Sequence, residues 1–168
     1  LEPRLFSFNA PLGACENCKG LGFTEEVDID ELIPDREKTI RQGAIRYNKN
    51  IVDTENIEWQ TFEILCRHYD ISLDVPVSSL SEKQMDIILH GSDRPISYQL
   101  RSSSGNEYKR NDYIEGIKDL IERRYRDTSS SMVKDWLHSF MKETKCPVCK
   151  GKRLNPQALS VRVGNKNI

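Results

Sequence analysis

Apolar residues along this chain recur with two different periods, and each change of period marks an element. From Asn56 to about Tyr69, the spacing of Ile57, Phe62, Ile64, Leu65 and Tyr69 predicts a helix. Ser81 with Gln84 three residues on has the form of a capping box. Met85, Ile88 and Leu89 share the face that follows, and Gly91 stands where a left-handed C-terminal residue belongs. Arg94 to Arg101 reads as a strand, and a Ser-rich turn runs through Gly105 and Asn106. Glu107 to Arg110 reads as the return strand, so the segment is expected to be a β-hairpin. Ile114, Ile117, Leu120 and Ile121 place a helix that finishes in Arg123-Arg124-Tyr125-Arg126. A last amphipathic helix, capped by Ser129 or Ser130, carries Val133, Trp136, Leu137, Phe140 and Met141 and is expected to run on to Cys146. Its aromatic stripe is expected to face the core.

The remaining segments carry weaker patterns. Residues 1–10 read as extended and proline-punctuated, leading toward Gly13, Gly20 and Gly22. Glu25 to Pro34 alternates briefly, which predicts a short strand or loop, and Ala158 to Val163 alternates as a strand. Several helices with one small antiparallel hairpin define an α+β class.

The 168 residues suffice for a core without obligatory staples, and 30% of them are charged. Apolar runs are short, so neither a membrane helix nor a disordered chain is predicted, and a soluble, cytoplasmic protein is expected. The net charge of -1 conceals a division. Nine Lys and Arg stand against 18 Asp and Glu over residues 1–93, and 14 against 8 over residues 94–153. A chain polarised in this way can offer its basic surface to phosphates, although a solvated, salt-bridged surface would give the same counts.

Candidate chemistry is concentrated in two cysteine pairs near opposite ends of the chain, Cys15-Glu16-Asn17-Cys18 and Cys146-Pro147-Val148-Cys149. Each is followed by lysine and glycine, Lys19-Gly20 and Lys150-Gly151. A C-x-x-C turn presents two thiolates on one side of a tight loop, and two such turns complete a tetrahedral S4 shell for zinc. The glycine suits backbone that must curl past a thiolate at positive φ. A whole domain is then inserted into a zinc ribbon: residues 1–22 and 146–168 form the module and 23–145 the insert. Disulfides are the rival reading. No apolar signal segment opens the chain, and five cysteines are ordinary for a reducing compartment. The fifth, Cys66, lies in an apolar helical stretch and reads as a core residue. Four thiolates leave no open coordination position, so the zinc would be structural. No phosphate loop, dinucleotide fingerprint or nucleophile elbow is present, and His68, His90 and His138 are isolated, so no catalysis is expected of this fragment itself.

Basic residues cluster in two places, Arg101, Lys109 and Arg110 on the hairpin and Arg123, Arg124 and Arg126 at a helix C-terminus. The second cluster also gains from the helix dipole, by about 0.3–1 kcal/mol per cation. Beside Tyr108, Tyr113 and Tyr125 these cations form a candidate clamp for a nucleic-acid backbone, and the absence of a sequence-reading helix motif points to readout of phosphate and shape.

The stretch Leu5-Phe6-Ser7-Phe8-Asn9-Ala10-Pro11-Leu12-Gly13-Ala14-Cys15-Glu16-Asn17-Cys18-Lys19-Gly20-Leu21-Gly22 resembles the segment that opens one zinc module of the UvrA family, the damage-sensing ATPase subunits of bacterial excinucleases. Cys146-Pro147-Val148-Cys149-Lys150-Gly151-Lys152-Arg153-Leu154 resembles the closing half. Glu122-Arg123-Arg124-Tyr125 and Gly43-Ala44-Ile45-Arg46 also resemble the family, so the similarity extends over essentially the whole chain. The resemblance implies a dimeric ABC-type ATPase whose nucleotide-binding halves are interrupted by insertions, one of them a DNA-contacting domain hung from a zinc module. This chain is similar to that insertion with its module. ATP and magnesium would belong to parts of the parent absent here, and UvrB would meet the parent through a different segment. Double-stranded, damaged DNA is the implied partner. Two other classes remain open. Cys15-x-x-Cys18-x-Gly20-x-Gly22 also fits the DnaJ-type peptide-binding repeat, with Lys152 where the second copy should have glycine. A protein-docking platform built on the acidic 25–37 stretch or an apolar patch is the other.

Overall fold

Strands β1 (Phe23–Val27) and β4 (Met141–Lys145) pair with each other although the rest of an inserted domain separates them in sequence. The division of the molecule falls within these two strands: one unit comprises Leu1–Glu26 with Lys142–Ile168, the other Val27–Met141. The computed structural model describes residues 3–7, 9, 10, 12–155, 158, 162, 163, 166 and 167. None of its helices is long and apolar enough to cross a membrane.

Val27–Met141 folds around the expected helices. Asp28 caps a single turn, α1 (Ile29–Leu32), by accepting the Asp30 amide, and this turn buries Leu32 and Ile33. The Glu25–Pro34 stretch is therefore the end of a strand followed by one helical turn. A polar/apolar alternation this short fits either period, and the Asp28 cap decides between them. Helix α2 (Ile57–His68) starts at an Asn56 cap and buries Trp59, Phe62, Leu65 and Cys66, the larger of them worth about 1.5–3 kcal/mol each. Burial pushes the Cys66 thiol up to about 12, as a core residue requires. The capping box at α3 (Glu82–His90) is formed in both directions between Ser81 and Gln84.

Gly91 ends α3 at φ 91°, where a Cβ would lie 2.1 Å from the Ile114 carbonyl oxygen. Gly116 faces it, with a Cβ position 2.3 Å from the His90 nitrogen. Two glycines thus let the end of α3 and the start of α4 (Ile117–Asp127) approach backbone to backbone, which a bridge between Gly91 and Glu115 records. Between these helices the hairpin forms as expected, β2 (Ile96–Arg101) against β3 (Glu107–Asp112), in the register Tyr98 to Arg110 and Arg101 to Glu107. Ile96 and Leu100 are buried from β2, while every residue of β3 is exposed.

Helix α5 (Ser131–His138), capped by Ser130, does not run on to Cys146 as expected: it stops at His138, and Met141–Lys145 is strand β4. The apolar stripe runs out at Met141, and the polar run Lys142-Glu143-Thr144-Lys145 gives no helical face to bury, so pairing with β1 wins. The aromatic stripe divides as well. Leu137 and Phe140 are buried, but Trp136 remains 42% exposed. In the other unit, Arg162–Val163 pairs antiparallel with Lys166–Asn167; residues 159–161 of the strand expected over 158–163 lie outside the described residues.

Candidate metal centre and nucleic-acid interface

Both knuckles reproduce one backbone path. Lys19 and Lys150 take φ 56° and 53°, and Gly20 and Gly151 take 81° and 84°. The Leu21 amide donates to Cys18 O as the Lys152 amide donates to Cys149 O. Four residues after each second cysteine an amide donates to that cysteine's sulfur, from Gly22 to Cys18 Sγ and from Arg153 to Cys149 Sγ, both at 3.2 Å. Arg153, at φ 73°, is therefore the counterpart of Gly22, not Lys152 as the repeat comparison had it. That arginine accepts left-handed backbone here shows how strongly the knuckle imposes its turn.

This shared path brings the cysteine sulfurs together from positions 131 residues apart. Cys15 Sγ lies 3.9 Å from Cys146 Sγ, and Cys18 Sγ 3.7 Å from Cys149 Sγ. All four buried sulfurs lie within 4.8 Å of one another. A tetrahedron with metal–sulfur arms of ~2.3 Å has edges of about 3.8 Å, so the donor set fits a tetrahedral thiolate-binding ion. The electrostatics favour thiolate at Cys146 and Cys18. Burial by itself would raise Cys146, but the amides of Cys149 and Val148 and the Asn17 side chain outweigh it and bring the thiol to about 6. At Cys18 burial is likewise outweighed, first by the Gly22 amide, and the thiol is lowered, whereas burial holds Cys15 up at about 11. An ion held by these four thiolates would have no open position, so its role would be structural.

The six candidate cations do not form one patch. Register places Arg101 and Lys109 on the ribbon face opposite buried Ile96 and Leu100, alongside Gln99. The Gln60 side chain anchors this strand end, donating to Arg101 O at 2.7 Å and accepting from Arg101 N at 2.9 Å. Arg110 pairs with Tyr98 on the other face and lines a groove of about 320 Å³ shared with α2 and α4. Arg123 lines the same groove, with its Nε and Nη2 donating to the Glu115 carboxylate at 3.0–3.1 Å. Arg124 is held elsewhere. Its Nη1 donates to the Tyr47 hydroxyl at 2.6 Å, approaches Glu58 at 3.6 Å, and its guanidinium lies over the Tyr47 and Trp136 rings. Arg126 is exposed. Among the described residues Arg101, Lys109, Arg110 and Arg126 make no ion pair. Of the three tyrosines, Tyr108 and Tyr113 are exposed, and Tyr125 lies beneath Lys134. Sequence reasoning missed Gln60, Glu115 and Tyr47, because each acts on a residue too far along the chain for any local spacing rule to connect them.

A small helical domain with a β-ribbon thus interrupts a module whose four cysteines could hold a metal ion. The profile of the UvrA DNA-binding domain matches residues 28–139, and the chain belongs to that family. UvrABC system protein A of Mycoplasma genitalium is 47% identical over the whole chain, which covers 18% of that relative. The protein of the same name from Oceanobacillus iheyensis is 42% identical, with 17% covered. The crystal structure of UvrA2 from Deinococcus radiodurans superposes with a TM-score of 0.73 at 25% identity, over 98% of this chain and 21% of that one. The chain thus spans about a fifth of the length of the relatives it matches.

Proposed function

We propose that this chain is the duplex-holding insertion of a damage-recognition subunit in bacterial nucleotide excision repair, stapled by a structural zinc ion on Cys15, Cys18, Cys146 and Cys149. What supports the reading most is the set of exposed cations without carboxylate partners among the described residues, three on the β2–β3 ribbon and one at the end of α4, within a domain of the UvrA DNA-binding family. Arg101, Lys109, Arg110 and Arg126 contact backbone phosphates directly. Arg123 and Arg124 do so only by giving up the intramolecular partners that hold them now. Contacts of this kind carry no base identity, which suits inspection of any sequence, with lesions sensed through altered shape and deformability.

The fragment contributes binding and no chemistry of its own. ATP, magnesium, dimerisation and the encounter with UvrB belong to the cytoplasmic parent. The zinc closes the knuckle pair, and its chemistry is limited to fixing four thiolates.

A fluorescently labelled duplex of arbitrary sequence, titrated with the metal-replete chain across a salt series, tests the reading. Affinity should fall linearly on a log–log plot, with a slope of about -0.9 per phosphate contact. Binding that ignores salt, or no binding to duplex while a peptide or protein is captured, would favour a docking platform instead.

A further inference from the structure

The groove that Arg110 and Arg123 share raises a question the family assignment does not answer, namely why one of its two arginines is occupied. Phe62 and Leu100 are buried along it, and Tyr98 and Leu120 add half-buried apolar surface. Four charged groups also line it. Arg110 has no carboxylate within ion-pair reach among the described residues. Glu58 is committed to the Tyr47 hydroxyl at 2.9 Å and to Arg124, while Arg123 and Glu115 hold each other.

The geometry of that last pair is specific. Two nitrogens of one edge of the guanidinium meet one carboxylate, the fork arrangement that arginine uses equally for carboxylate and phosphate. The pair is also exchangeable, since the Arg123 and Glu115 side chains are 46% and 35% exposed. The Glu115 backbone is fixed by its bridge to Gly91, so the carboxylate can swing away without moving the fold.

We propose that this groove is a phosphodiester site and that Glu115 is its internal competitor: the carboxylate occupies the Arg123 fork until a DNA backbone phosphate displaces it. Arg110 is the second cation of the site, and the apolar lining receives the adjoining sugar. The inference rests on the duplex-holding reading above. Its consequence is that part of the electrostatic attraction is spent on removing Glu115, which weakens binding and favours duplexes whose backbone reaches well into the groove.

The test is a double-mutant cycle on the full chain, with a labelled duplex as probe and a salt series as readout. Glu115→Gln should tighten binding by roughly three- to tenfold and steepen the salt slope by up to about 0.9, because no displaced carboxylate is left to take up a cation when the phosphate binds. Arg123→Ala alone should change affinity little, and in combination with Glu115→Gln it should abolish the gain. Unchanged or weaker binding by Glu115→Gln, with wild-type binding intact and the thermal midpoint preserved, overturns the competitor. A gain that survives Arg123→Ala also overturns it, since removal of one negative charge would then be the whole effect. If the wild-type chain binds no duplex at any salt, the duplex-holding reading itself falls and takes this inference with it.

Discussion

Val27–Met141 buries Trp59, Phe62, Leu65, Ile88, Ile121, Leu137 and Phe140 in one continuous apolar cluster. The described residues of the cysteine unit bury four thiols and, separately, Leu154 with Ala158 against half-buried Phe6. The inserted domain has the hydrophobic area to fold by itself. The described residues of the cysteine unit form no comparable cluster, and in units below about 70–80 residues a metal or disulfides generally supply what burial cannot. With zinc on the four cysteines, as proposed, the two units use two kinds of adhesive, one cooperative and non-directional, the other a point-like bond between distant chain segments.

The harshest way to break that comparison is to remove the ion. Chelation, or Cys149→Ser, should cost the cysteine unit its fold, since metal binding to such centres contributes on the order of 10 kcal/mol. Amide exchange should show protection lost through residues 12–26 and 142–155 and retained in α2, α3 and α4. Collapse of protection in α2 at the same chelator concentration would mean that the inserted domain depends on the metal as well.

The converse perturbation acts on the other side. Phe62→Ala removes a buried ring between α2 and the groove, and large-to-small changes of that kind cost about 3–5 kcal/mol. Denaturant unfolding followed by the fluorescence of Trp59 and Trp136 should register the loss, while the metal stoichiometry stays unchanged.

The same contrast decides what could be read in advance. Cys15, Cys18, Cys146 and Cys149 were legible because ligand chemistry fixes both residue type and local spacing, so even a long insertion leaves the pattern intact. The helix starts at Asn56 and Ser81 and the hairpin turn were legible because caps and turns are local. What escaped depends on the third dimension. Met141–Lys145 is a strand because β1 is there to pair with it, and Trp136, 42% exposed, is covered only in part, by Tyr47 and Arg124. The six cations read in sequence as two clusters of one clamp. Strand alternation and the partners Glu115, Glu58 and Tyr47 separate them.

A finer probe of the inserted domain is its capping box. Ser81→Ala leaves the Gln84 amide without its acceptor and should lower stability by about 1 kcal/mol. Thermal unfolding monitored at helix wavelengths reads this directly. A null result would show that α3 is held by Ile87 and Ile88 with no contribution from its start.

The gentlest perturbation separates stability from function. Arg101 and Lys109 lie on the outward ribbon face, make no ion pair among the described residues, and bury nothing that the core needs. The backbone at Arg101 stays clamped by Gln60 whatever side chain it carries. Arg101→Ala and Lys109→Ala should therefore each leave stability within about 0.5 kcal/mol of wild type. Each should nevertheless flatten the salt slope of duplex binding by about 0.9, and the two effects should add, because separate phosphates are contacted. Alanine at Arg36, whose partner Asp30 is exposed on the acidic half of the chain, supplies the matching change of one charge and should leave the slope alone. Equal slopes for all three variants would mean that duplex affinity follows net charge alone, and the ribbon would lose its claim to be the contact surface.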